Sequence, residues 1–196
     1  VYNLYGRRDN MYKARIKILV KALGIEKFKQ LVDEEWDTIK DSPNTIDNSE
    51  INRIKAFFSE PNYKSNKKND LKKHVTNKPF TQWLLRCTHS HKKEGYRSVT
   101  LSLKSNEQAP GDATSDQMRA VASLADQYSF GEIRVSHEQN LILSDVLEDN
   151  LFELWEKARI QKLTTPNIGL LTDIICCPGG DFCSLANAKS IPIAKS

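Results

Sequence analysis

The sequence predicts an α+β fold in which helices cover one face of a small sheet, preceded by a basic helical segment. Three observations carry that class. Residues 96–103 run Tyr, Arg, Ser, Val, Thr, Leu, Ser, Leu, the period-two pattern of a strand with one buried side. Thr114 stands three residues ahead of Gln117 at the head of an apolar stripe, which is the spacing of a capping box. Two further strand-like runs, 132–135 and 139–143, are separated only by Ser136, His137 and Glu138, and a second helical stripe follows them. The resulting order is strand, helix, strand, strand, helix.

Taken along the chain, the apolar residues Ile16, Leu19, Val20, Leu23, Phe28, Leu31 and Val32 recur at helical spacing with an interruption at Gly24, so two helices meeting there are expected. Their other face carries Arg15, Lys17, Lys21, Lys27 and Lys29, ordinarily a solvated row. Residues 41–78 are polar, with Ser-Pro-Asn and Glu-Pro-Asn turn signals and a lysine-rich run at 64–73. They read as a connector with one short helix near 51–58. Residues 80–85 form a short apolar approach to the first strand. The Pro-Gly pair at Pro110 and Gly111 ends that strand, and the capped helix then turns Met118, Val121, Ala122, Leu124 and Ala125 inward until Gly131. Asp145, followed three residues later by Glu148, reads as the start of the last helix, with Leu147, Leu151, Leu154, Trp155 and Ala158 inward. The expected organisation is a basic helical segment at 1–40, a polar linker at 41–78, the sheet and its helices at 79–163, and a further domain beginning at 164–196.

Bulk properties exclude more than they select. A chain of 196 residues with 39% hydrophobic content can build one ordinary domain with a sizeable core, or one domain plus an appendage. Its 29 basic and 25 acidic residues leave a formal charge of +4, a weak preference for anions. No aromatic RNA-binding motif or finger spacing points to nucleic acid. No apolar run approaches the roughly 18–20 residues that span a bilayer, and no export signal opens the chain. The first residue is Val and the last six show no terminating signal, so the reading is of a piece of a longer polypeptide.

Cysteine usage is the sharpest chemical signal. Three of the four cysteines, Cys176, Cys177 and Cys183, fall within eight residues around Pro178-Gly179-Gly180. In a chain of this size that crowding suggests metal or redox chemistry in a reducing cytoplasm rather than a disulfide framework. Cys177 and Cys183, with a turn between them, could face one inorganic centre. Two thiolates are half of a four-thiolate iron–sulfur or zinc site, so further ligands must come from elsewhere. Cys176 reads as a packed thiol beside that site and Cys87 as a core residue. His74, His89, His91 and His137 read as structural or solvent-facing.

The segment Ile133-Arg-Val-Ser-His-Glu-Gln-Asn-Leu-Ile-Leu143, followed by Cys177, five residues and Cys183, resembles the sulfite and nitrite reductase haemoprotein family. The stretch from Gly6 to Glu26 is similar to the basic helix that precedes this repeat in the same family. The resemblance implies a ferredoxin-like half-repeat, sirohaem and a 4Fe-4S cluster. It implies that Cys177 and Cys183 are cluster ligands. It also implies that Arg15, Lys17, Gln139 and Asn140, with Arg134 and Arg8 next, face the carboxylate-rich sirohaem, whose burial calls for cations and hydrogen-bond donors. Surface charge and ordinary turn chemistry are the alternatives for these polar positions.

The implied activity is six-electron reduction of sulfite to sulfide by an assimilatory enzyme, with electrons from a flavoprotein or ferredoxin. Nitrite reduction to ammonia by an enzyme of the same build is ranked second. The oxyanion-gripping residues and the second cysteine pair of the family have no counterpart in the chain, so no catalytic residue is assigned within it. A non-enzymatic, zinc-stabilised basic binding module, with Cys87 or a histidine completing the site, is the rival from another class.

Overall fold

The computed structural model describes residues 1–43, 45–64, 70–105 and 108–195. Half of the lysine-rich run 64–73, residues 65–69, therefore lies outside the described residues. The chain divides into two compact units, Val1–Glu60 and Pro61–Ser196.

The first unit is helical: α1 (Tyr2–Tyr5), α2 (Ile16–Leu23), α3 (Ile25–Ile39) and α4 (Asn48–Ala56). α2 and α3 meet at Gly24, where the periodicity breaks. Asp47 caps α4 by accepting the Glu50 N–H at 2.8 Å. Leu19 is the buried apolar residue of these helices, while Ile16, Val32 and Trp36 remain exposed. The helical period is thus real: of the stripe residues Leu19 is buried, Val20, Leu23, Phe28 and Leu31 are half-buried, and Ile16 and Val32 are exposed. So few residues enclose little apolar surface of their own.

The second unit holds the sheet. After a 3-10 turn (Asp70–His74) come α5 (Lys78–Cys87), β1 (Thr88–Ser90), β2 (Tyr96–Leu101), α6 (Ser115–Tyr128), β3 (Arg134–Val135), β4 (Leu141–Leu147), a 3-10 turn (Glu148–Asn150), α7 (Leu151–Ile160), a 3-10 turn (Gly179–Asp181) and α8 (Ser190–Ala194). The four strands pair antiparallel in the order β1-β2-β4-β3. From β2 to α7 the element order is the expected one. The core joins Phe80 and Trp83 of α5, Val121 and Leu124 of α6, and Leu151 and Leu154 of α7 to the strand residues Val99, Leu101, Leu143 and Val146.

Four expectations need correction. The apolar approach at 80–85 is a full helix, capped by Asn77, whose side chain accepts from the Phe80 N–H, with Pro79 in its first turn. Inside α6 the capping box is present, yet Met118 is 61% exposed and Ala122 is also at the surface. The inward stripe is Gln117, Val121, Leu124, Ala125 and Tyr128, and Gln117 turns inward to donate to the Gln161 carbonyl at 2.9 Å.

Asp145 does not start a helix. It lies buried in β4, where its carboxylate accepts from the Tyr63 hydroxyl at 2.7 Å and from His91 Nε2 at 3.2 Å. The Lys93 N–H donates to His91 Nδ1, which leaves the ring proton on Nε2 facing Asp145. Tertiary partners thus took the acceptor that capping chemistry would have used.

The fourth correction concerns burial of β2 and the residues just after it, which is two-sided. Leu101 and Leu103 enter the helix-covered core, while Ser102 and Lys104 are equally buried against the segment that leads to the cysteines. Alternation correctly assigns opposite faces, but the polar face is covered by protein rather than by water.

Candidate metal centre

The cysteine loop is fastened to the polar face of the sheet through a buried network. Ser102 Oγ donates to Asn167 Oδ1 at 2.8 Å, and Asn167 Nδ2 donates to the Thr172 carbonyl at 3.0 Å. Lys104 Nζ reaches Asp173 Oδ1 at 3.1 Å and the Glu138 carbonyl at 2.6 Å, with both members of the ion pair almost wholly buried. Asn140 Nδ2 donates to the same Asp173 oxygen at 2.9 Å, while the Gly169 N–H donates to the other at 3.1 Å. Burial alone would raise the Asp173 carboxyl. The Asn140 amide, the Gly169 N–H and Lys104 outweigh it and hold the group below its ordinary range.

Gln139 makes the last fastening. Its side-chain amide pairs with the backbone of Cys176 in both directions: Nε2 donates to the Cys176 carbonyl and Oε1 accepts the Cys176 N–H, each at 3.0 Å. Beyond this point the chain makes its 3-10 turn over Gly179–Asp181. Gly179 has φ +62, and an added Cβ there would come within 2.6 Å of the Ala188 carbonyl oxygen, so the turn requires glycine. The Gly180 N–H donates to that oxygen at 2.8 Å, and the Cys183 N–H donates to the Gly179 carbonyl at 2.9 Å.

The four thiols divide into two kinds. Cys87 is fully buried, donates to the Thr165 carbonyl at 3.4 Å, and has its pKa pushed up to about 12, chiefly by burial with a smaller push from the Asp173 charge. Cys176 is also buried and turns its sulfur to the Cys177 carbonyl at 3.3 Å. Cys177 and Cys183, one on either side of the turn, are exposed. They are soft donors presented to the outside of the fold, which suits a centre completed by ligands from another segment. Among the described residues no group of three His, Cys, Asp or Glu side chains is placed to hold a metal ion. Cys87 in particular faces the core, which removes one of the two completions, Cys87 or a histidine, expected for the zinc module.

The other polar residues singled out in the sequence fall into two sets. Arg8, Arg15 and Lys17 belong to the first unit, and all three are exposed. Arg134 is exposed on β3 and pairs with Glu132 at 2.5 Å. Gln139 and Asn140, by contrast, are brought directly to the cysteine segment. Asn140 is 1% exposed and uses its whole amide internally, its Oδ1 accepting the Leu103 N–H at 3.1 Å.

Sequence reasoning missed Lys104, Asp173 and Asn167. Lys104 carries only the signal of a polar residue two positions after Ser102 past a strand, Asn167 and Asp173 carry none, and partners 33 to 69 residues away leave no local spacing to read. His89 is exposed, His137 is exposed beside Glu138, and His74 stacks on Phe152 at 3.7 Å.

Two protein-family models match the chain. The nitrite/sulfite reductase ferredoxin-like half domain matches residues 89–159, and the nitrite and sulphite reductase 4Fe-4S domain matches residues 1–40. Among curated proteins the chain is 26% identical over 185 residues to a chloroplastic ferredoxin-nitrite reductase of Oryza sativa subsp. japonica, covering 94% of this chain and 26% of that protein. It is 24% identical over 202 residues to a ferredoxin-nitrite reductase of Synechococcus elongatus, covering 100% of this chain and 32% of that protein. It is 25% identical over 192 residues to sulfite reductase [ferredoxin] 2 of Mycolicibacterium paratuberculosis, covering 97% and 28%. The chain thus spans about a quarter to a third of the length of these relatives.

Proposed function

Because the chain belongs to the nitrite and sulfite reductase family, we propose that it forms part of the cofactor housing of a reductase that takes nitrite or sulfite through a six-electron reduction. The cofactors of this family are sirohaem and a 4Fe-4S cluster. When bound, the pair delivers single electrons to the substrate anion. The observation that carries the reading is the separation of the thiols: Cys177 and Cys183 exposed on either side of a glycine-dependent turn, with Cys87 and Cys176 packed away.

In this reading Cys177 and Cys183 supply two of the four cluster thiolates, and the other two come from chain outside the sequence described. Arg8, Arg15, Lys17 and Arg134 are the cations assigned to the sirohaem carboxylates, which cannot be buried without compensating charge. Gln139 and Asn140 act from the hairpin end, where their amides already hold the cysteine segment. None of these residues is given a catalytic role.

Ranking sulfite ahead of nitrite draws no support from the relatives, since those from Oryza and Synechococcus are named for nitrite and the one from Mycolicibacterium for sulfite. All three names carry ferredoxin, and a ferredoxin is the electron donor proposed here in preference to a flavoprotein. No helix among the described residues is long and apolar enough to cross a membrane.

The test is elemental and optical analysis of a full-length reductase containing this chain. Iron, acid-labile sulfide and a sirohaem absorption spectrum are expected together. Zinc without visible absorption would overturn the reading and favour the binding module.

A further inference from the structure

We propose that Gln139 is a positioning residue whose amide clamps the backbone of Cys176 and so sets where the Cys177 thiol stands. The inference rests on the reading of Cys177 as a cluster ligand. It differs from a macrocycle contact in that both ends of the amide are already committed to the protein.

Three features of the hairpin converge on this role. The first is the reciprocal pair of hydrogen bonds between Gln139 and Cys176, each 3.0 Å. A single side chain there satisfies both the N–H and the C=O of one residue, fixing the peptide planes on either side of Cys176. Cys177 follows directly, so its direction of departure is set by that residue.

The second is the backbone of Gln139, which lies in the left-handed region at φ +59. An amino acid with a long side chain occupies that region at a cost, and the conformation persists only where its surroundings enforce it. Here it turns the side chain toward the cysteine segment, 37 residues along the chain.

The third is a backstop. Gly111, at φ +87, sits so close that an added Cβ would come within 2.9 Å of Gln139 Cβ and 3.3 Å of its amide carbon and oxygen. Gly111 itself is tied to the segment just after β2 by donating its N–H to the Leu103 carbonyl at 2.9 Å. The sheet therefore reaches the thiol loop through a chain of contacts: β2, Gly111, Gln139, Cys176.

Gln139→Met keeps the length of the side chain and removes both hydrogen bonds. In the 196-residue chain, the labelling rate of Cys176 by a neutral thiol reagent, read site by site by mass spectrometry, is expected to rise about tenfold or more, as for the loss of two modest hydrogen bonds that hold a local opening shut. Cys87, in the core, is expected to keep its slow rate. Gly111→Ala should reproduce the effect by crowding Gln139 while leaving its amide chemically intact.

An unchanged Cys176 rate in Gln139→Met would overturn the clamp. So would a parallel rise at Cys87, because Gln139 would then support the whole fold rather than the loop. In a full-length reductase the same substitution should shift the paramagnetic resonance signature of the reduced cluster. A faster Cys176 with an unaltered signature would defeat the link to the cluster. A wild-type enzyme with no iron–sulfur signal would instead defeat the ligand assignment, leaving the labelling result as the test of the clamp itself.

Discussion

A full-length reductase carrying Cys183→Ser is expected to assemble no cluster, its iron and acid-labile sulfide falling to background. The substitution changes little except the donor atom. Cys183 is exposed, and the hydrogen bond that holds it in the turn runs from its backbone N–H to the Gly179 carbonyl, which serine preserves. Serine offers a hard oxygen that stays protonated near neutral pH, whereas iron–sulfur clusters are held by soft thiolates. Reduction by the donor protein is lost with the cluster. Analysis of iron and sulfide on the purified variant checks this, and full cluster content would remove Cys183 from the ligand set. Cys176→Ser one turn away, with its sulfur packed against the Cys177 carbonyl, should leave cluster content largely intact.

Lys104→Ala has the largest expected effect on stability. Lys104 and Asp173 are buried together, and the ammonium also serves the Glu138 carbonyl. Removing one member of a buried pair leaves an uncompensated charge, at a cost of about 3–5 kcal/mol. For a unit of this size the melting temperature should drop by roughly 10 °C, measurable by calorimetry or circular dichroism. The paired variant Lys104→Met with Asp173→Leu should recover only part of the loss: it removes the uncompensated charge, but the Asn140 amide, the Gly169 N–H and the Glu138 carbonyl each lose a partner.

The pH dependence has a definite sign. The Asp173 carboxyl is depressed in the folded state, so its stabilisation is full above its unfolded value, about pH 4, and disappears as pH falls through the lower folded value. A melting temperature unchanged by Lys104→Ala would contradict this account of the network.

What could be read in advance followed the range of the interactions involved. The capping box of Thr114 and Gln117 lies within one helical turn, and it forms as the spacing says. The period-two run at 96–103 and the paired runs after 131 identify neighbouring strands because strand side chains alternate regardless of context. Asp145 shows the opposite case. As a local signal it reads as a helix start, yet Tyr63, 82 residues away, and His91 give it better partners inside the sheet.

The polar face of β2 was unreadable for a related reason. Ser102 and Lys104 look solvated until the segment at 163–176 folds back over them. Of the candidate site, the two thiols and the turn between them are legible because their residues are adjacent in sequence. Gln139 and Asn140 were singled out through a resemblance, which located the residues but not their partners. Nothing in the spacing ties Gln139 to Cys176 or Asn140 to Asp173.

The first unit poses the converse problem. Its helices appear where periodicity and Gly24 place them, yet the apolar face that the period defines is for the most part only half-buried, with Leu19 its one buried residue. Periodicity reports which residues share a face. It does not report what covers that face.

The central claim is that Cys177 and Cys183 bind one iron–sulfur centre, and selenium X-ray absorption tests it most directly. With selenocysteine in place of Cys177 in a full-length reductase, the selenium spectrum should contain a shell of iron at bonding distance. A spectrum with only carbon neighbours, in a protein that still holds its full complement of iron and sulfide, would contradict it.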